Sequence, residues 1–281
     1  MSMDFWVAAL VIWLALLCTV VGVRMGWDDS RRARDIAFVP TEALAADQLF
    51  GLLLGANLAV LEHDDFNQLA SKLPRRRIRK VLARYWNVQS ARGFRRVVDE
   101  RLRELGAMSW EEAAAIEAWQ RGEPADSDAY RSLHDVLFFL SMHARIVLSD
   151  EMRDQHFRML AWDVQQLACL LRLGFTLGYV SREAVWQTLD QLQRMARASY
   201  TSWKDYSFSA LVGMGLRGVI DLDDIGDWYR IARSHTVLMA ARRSLLARAG
   251  DWGASITPAD VEPVGGLLAF GAPITAFDTL V

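Results

Sequence analysis

The chain has 281 residues, 52% of them apolar, with eleven tryptophans and only six prolines. That composition excludes a disordered or collagen-like chain and leaves ample material for a buried core. The formal net charge of −2 is unevenly spread: residues 71–105 hold twelve Lys/Arg against three Asp/Glu, a basic segment in an otherwise acidic molecule.

In chain order, the first feature is Phe5–Val23, nineteen residues without a charge. At about 1.5 Å of rise per residue it nearly matches a hydrocarbon layer of roughly 30 Å, and it predicts a transmembrane helix. A signal peptide wants basic residues before the apolar run; here only Asp4 precedes it and Arg24 follows. The residues before Cys18 fit a lipoprotein cleavage site poorly, and a core helix seldom lacks a polar face over such a length. Arg24, Arg31, Arg32 and Arg34 lie just after the run, so the positive-inside rule expects the N-terminus outside and the bulk of the chain in the cytoplasm. The second cysteine, Cys169, belongs to a distant apolar run, so no disulfide framework is expected.

Thr41 is expected to cap a helix whose apolar part is Ala45 to His63. A second helix starts at "KLPRRRIRKVLARYW" with Pro74 in its first turn, a third runs from Ser90 to Leu105, and "SWEE" at Ser109–Glu112 spells a capping box for a fourth that ends near Gly122. A polar loop leads to a helix from about Asp128. "AWDVQQLACLLRLGFTLGYVSREAVW" at Ala161–Trp186 supplies two more, separated by a turn from Gly174 to Gly178. Ser202 caps the next, through Leu216, and "DLDD" opens a long one from Ile225 to about Arg248. The expectation is all-α: a single N-terminal transmembrane helix followed by a multi-helix globular domain. We divide it as residues 1–27 anchor, 28–72 linker and first helix, 73–248 helical domain and 249–281 tail.

Chemistry is sparse. Gly213, Gly215 and Gly218 spell G-x-G-x-x-G, but at the end of a helix and with no preceding strand, where a dinucleotide's pyrophosphate has no helix start to meet. The five histidines form no i, i+3 or i, i+4 pair, and "EHDD" at Glu62–Asp65 reads as an acidic helix-to-loop junction before it reads as a cation site. Cys169 lies on an apolar face that disfavours a thiolate. No cofactor, metal or catalytic residue is expected. The basic segment, led by Arg75, Arg76, Arg77, Arg79 and Lys80, has three readings: a solvated face paired with acidic neighbours, a contact with anionic lipid, or a contact with nucleic acid or an acidic protein. Few interleaved aromatics and an acidic remainder make nucleic acid the least favoured.

Ala161, Trp162, Asp163, Arg172, Gly178, Tyr179, Ser202, Trp203 and Gly213 form an ordered set. With "RYWNVQSARGFRRVVDERLREL" upstream, the stretch from about Arg75 to Gly218 resembles the bacterial domain-of-unknown-function family number 1266. Asn87 stands where that family usually has glycine, a residue that also tolerates a left-handed backbone. The resemblance implies an all-helical domain and a bacterial source, hence the inner membrane for the anchor; it brings no catalytic residues. Asp163 and Arg172 are nine residues apart, about 180° around a helix, and must serve different partners. Asp163 is expected to accept hydrogen bonds from the start of the Ser202 helix or from the Trp203 indole. The functional expectation is a membrane-anchored cytoplasmic module for protein interaction with an unidentified partner. The alternatives are an immunity or accessory protein of a toxin or secretion system and, third, an enzyme of unrecognised type.

Overall fold

The computed structural model describes residues 6–7, 10–17, 19–20, 44–143, 159–217, 234–235, 238 and 252. Among them the regular structure is entirely helical. The helices are α1 (Ala46–Leu53), α2 (Ala56–Leu61), α3 (Arg75–Trp86), α4 (Ala91–Arg103), α5 (Trp110–Arg121), α6 (Asp128–His143), α7 (Leu160–Leu177), α8 (Arg182–Ser199) and α9 (Trp203–Leu216). The cap expected at Thr41 lies outside the described residues. So do most of the Ile225–Arg248 helix, of which Ser234, His235 and Leu238 are helical, and the tail apart from Trp252.

Helix α7 organises the rest. Every residue from Leu160 to Gly174 is buried, and a helix apolar on nearly all sides is stable only when surrounded. It packs against α2, α3, α4, α8 and α9, while α1 rests on α8 and α6 bridges α5 and α9. One core gathers Phe50, Leu69, Ile78, Phe94, Leu170 and Leu189 around α7. A second, from α5, α6 and α9, reaches α7 only at Met159 and Trp162. Trp162 is thus the seam between the two.

Two glycines set the helix spacing. A Cβ on Gly213 would lie 2.5 Å from the Trp162 Cβ, and one on Gly174 would lie 2.3 Å from the Phe94 ring. Gly174 therefore does not interrupt the helix, as its sequence suggested; α7 continues to Leu177. The turn comes at Gly178, in the left-handed conformation (φ 80°), with the Tyr179 N–H donating to the Gly174 carbonyl at 2.9 Å. Asn87 ends α3 in the same way (φ 52°), the Val88 N–H reaching the Leu82 carbonyl at 3.0 Å.

Other helix ends follow the sequence signals. Ser90, Ser109, Ser181 and Ser202 accept from the backbone N–H three residues on, and Glu112 completes the box by accepting from the Ser109 N–H at 2.8 Å. Pro74 precedes α3 rather than entering it, its carbonyl accepting from Arg77 and Ile78. The helix expected from Ala45 to His63 is split at Leu54–Gly55. Gly55 sits so close to α7 that a Cβ there would lie 3.2 Å from the Cys169 backbone nitrogen, and the freed Leu54 carbonyl accepts from the Tyr206 hydroxyl at 2.8 Å.

Among the described residues no helix is long and apolar enough to cross a membrane. The Phe5–Val23 segment lies partly outside them. Its described residues are helical, and Trp6, Leu10, Val11, Ile12, Trp13 and Val20 are all more than half exposed.

Candidate functional site

The ordered set from the sequence falls at the two ends of α7 and the start of α9. At the α7 N-terminus Asp163 is buried, 4% exposed. One carboxylate oxygen accepts from the Gly106 N–H at 2.9 Å; the other faces the Arg217 guanidinium at 3.2 Å. These donors, from the α4–α5 loop and from the residue after α9, are not the Ser202 helix start or the Trp203 indole that the sequence led us to expect. Arg217 also reaches Glu112 at 3.3 Å and the Ala107 carbonyl at 2.5 Å. Glu112 therefore caps α5 with one oxygen and holds Arg217 with the other. Burial raises the Asp163 pKa above the ordinary carboxyl value, opposed by Arg217 and by the Gly106 N–H.

Nine residues further along the helix, about 13 Å at roughly 1.5 Å per residue, Arg172 is 1% exposed. Its Nε donates to the Gln68 carbonyl at 2.9 Å, one Nη donates to the Asp65 carbonyl, and the Asp64 carboxylate stands at 3.5 Å. Asp64 in turn accepts from the Asp65 and Lys72 backbone N–H groups, and Asp65 pairs with the Lys72 ammonium at 2.6 Å. The "EHDD" junction is thus folded round a buried arginine. Thr176, one turn after Arg172, accepts from the Ser71 N–H at 2.8 Å and fixes the far end of the same loop.

Ser202 caps α9, and Trp203 enters an aromatic cluster with Phe50 (4.5 Å between ring centres), Tyr206 and Trp252 (4.6 Å). The Trp203 indole nitrogen has no hydrogen-bond partner among the described residues. Arg197 lies over the Phe50 ring at 3.8 Å and donates to the Trp252 carbonyl. The Tyr200 hydroxyl oxygen accepts from the Ala161 N–H at 2.8 Å and so caps α7. Tyr179 packs on Phe94 beside the Gly178 turn.

Several participants carried little sequence signal: Gly106 and Arg217, Lys72, and a buried chain of Asn57, Ser207 and His235. There the Ser207 hydroxyl lies 2.8 Å from the Asn57 amide nitrogen and 2.7 Å from His235 Nδ1. Burial lowers the His235 pKa to about 4, so the ring is neutral near pH 7. Ser207 and His235 are 3% and 4% exposed, which keeps a substrate from the hydroxyl. Burial also pushes the Cys169 thiol up to about 12. Among the described residues no cluster of His, Cys, Asp or Glu could hold a metal. A surface depression of about 440 Å3 is lined by Asp126, Tyr130, Arg131 and His134, with Arg131 already paired to Asp126 and Asp128.

The basic residues are displayed outward. Arg75, Arg76, Arg77, Arg79 and Lys80 are exposed on α3, and of these Arg77 pairs with Glu62 at 3.1 Å.

A central helix whose buried ions and aromatics clamp its neighbours' ends defines an all-helical domain, with the signature residues acting in its packing. The chain belongs to the family described as "Protein of unknown function (DUF1266)", whose model matches residues 75–244. Comparison with curated proteins and with solved structures gives no match.

Proposed function

We propose that the chain is a membrane-anchored helical module that binds a protein partner, held at the bacterial inner membrane by its N-terminal helix with the domain on the cytoplasmic side. The observation that carries the reading is the contrast between two apolar helices. The domain buries α7 from Leu160 to Gly174, yet leaves Trp13 61% and Val20 62% exposed in the N-terminal helix. A helix apolar on all faces needs a non-aqueous neighbour, and a bilayer supplies one.

The partner-binding part is supported by Trp110, 78% exposed at the first position of α5, with Met108 exposed two residues earlier. Exposed tryptophan of this kind is the residue type that dominates binding energy once buried by a partner. The buried ions of the signature, by contrast, are already paired within the fold.

The test has two arms. The full chain should stay with membranes after alkaline carbonate extraction and leave with detergent; release by carbonate refutes the anchor. Cross-linking in intact cells should capture one partner at stoichiometric yield, and Trp110→Ala should lose it with the melting temperature unchanged. Equal capture by Trp110→Ala refutes the role given to this surface.

A further inference from the structure

Helix α3 carries its charges in an unfavourable place. Arg75, Arg76 and Arg77 form its first turn, where the helix dipole is positive and acidic residues are favoured, and that turn contains no acidic residue. The first turn of α4 is likewise without an acid and includes Arg92. Ile78, Val81 and Leu82 face the core, so Arg76, Arg79, Lys80 and Arg84 occupy the opposite half of the helix, and Arg75 is exposed at its first position. None of these five has a carboxylate partner among the described residues; Arg77 alone on α3 is paired, with Glu62. In the last turn of α3, seven residues after Ile78 and so beside the stripe, Tyr85 is 49% exposed, beneath the Arg84 guanidinium at 5.4 Å and edge-on to Trp86 at 6.0 Å.

Cations held against a helix dipole without internal counterions are stabilised by anions brought from outside. We propose that this face of α3 lies on the anionic headgroups of the bilayer that holds the N-terminal helix. The proposal rests on the anchor reading for the nearness of that surface. A tethered domain meets headgroups at high effective concentration, and anionic lipid attracts clustered Lys and Arg within a Debye length. Tyr85 suits the edge of such a contact, its ring on the apolar side and its hydroxyl in the headgroup layer. Nucleic acid fits less well, because Tyr85 is the one exposed ring on α3 and stacking needs several.

The test uses the full chain with Cys18→Ser and Gln89→Cys, carrying an environment-sensitive dye at residue 89, just past α3; buried Cys169 stays unlabelled. The protein is reconstituted into vesicles of phosphatidylcholine alone or with about one third phosphatidylglycerol. The expected result is a blue-shifted dye only in the anionic vesicles, reversed by about 0.5 M KCl as charges are screened. Replacing Arg75, Arg76, Arg79, Lys80 and Arg84 with Gln should return the signal to that of neutral vesicles. The lipid and salt comparison on the unreplaced stripe stands even if the glutamine variant misfolds. Equal dye signals in both vesicles, or a difference that salt leaves intact, overturns the proposal. A dye response to a single-stranded RNA oligonucleotide without any response to phosphatidylglycerol overturns it in favour of nucleic acid. Failure of the anchor is read separately, as loss of sedimentation with neutral vesicles; salt-reversible recruitment to anionic vesicles would then still support the α3 face.

Discussion

Gly213→Ala tests whether the α7–α9 spacing rests on one absent methyl group. The new Cβ would fall 2.5 Å from the Trp162 Cβ and 3.2 Å from the Met159 sulfur, where ordinary contacts lie at 3.4–4 Å. The helices must part by about 1 Å in a close-packed interior. Overpacking of this kind costs about 1–3 kcal/mol, and the clash between two backbone-attached carbons places it near 3. Alanine regains about 1 kcal/mol of helix propensity, leaving a net loss of about 2. At roughly 2–4 °C per kcal/mol for a domain this size, the melting temperature should fall by about 4–8 °C. Circular dichroism of the full chain in mild detergent measures it, with Gly93→Ala as control, since a Cβ there meets only the Ser90 hydroxyl at 3.4 Å. Trp162→Phe should not rescue Gly213→Ala, because the clashing Cβ is retained. Melting of Gly213→Ala at or above the wild-type temperature refutes the argument.

Gly174→Ala meets only the ring of Phe94, so here a second change, Phe94→Leu, should recover part of the lost melting temperature. Arg172→Met leaves the buried Asp64 carboxylate without its cation and should cost about 3–5 kcal/mol by urea denaturation, with Asp64→Asn restoring part; no loss would show that the clamp is idle. The two shifted groups pull pH dependence in opposite directions. His235 takes its proton at about 6.5 when unfolded but only near 4 when folded, so its stability contribution is complete above 6.5 and is lost as pH falls toward 4. His235→Asn should flatten urea midpoints over that window. Asp163 has a raised folded pKa, so its contribution is complete below 3.8 and is lost as pH rises through the folded value; Asp163→Asn should therefore gain on the wild type between those limits.

The sequence displays what local chemistry decides. Ser90, Ser109 and Ser202 read as caps because a hydroxyl before a helix has one nearby job, and Asn87 reads as a left-handed stop because few other residues tolerate it. What escaped is set by distance along the chain. Asp163 meets Gly106 and Arg217, each more than fifty residues away, and Arg172 meets a loop more than a hundred residues upstream. Gly174 misled because a glycine in an apolar helix reads as a break, whereas here it admits the Phe94 ring. The absence of helix propensity and the need for close approach look identical in sequence.

The clamp at Arg172 also bears on where the folding unit begins. Arg172 lies inside the matched stretch 75–244, while Asp64, Asp65 and Gln68, which hold it, lie before it. The same is true of the Leu54 carbonyl that receives the Tyr206 hydroxyl, of Asn57 beside Ser207, and of Phe50 between Trp203 and Trp252. Each of these is a buried polar group or ring inside the matched stretch completed by α1, α2 or the loop after them. A buried guanidinium without its carbonyls and carboxylate costs several kcal/mol, a large share of the 5–15 kcal/mol that holds a domain together. The segment from residue 44 to 74 is therefore structurally part of the domain in this chain.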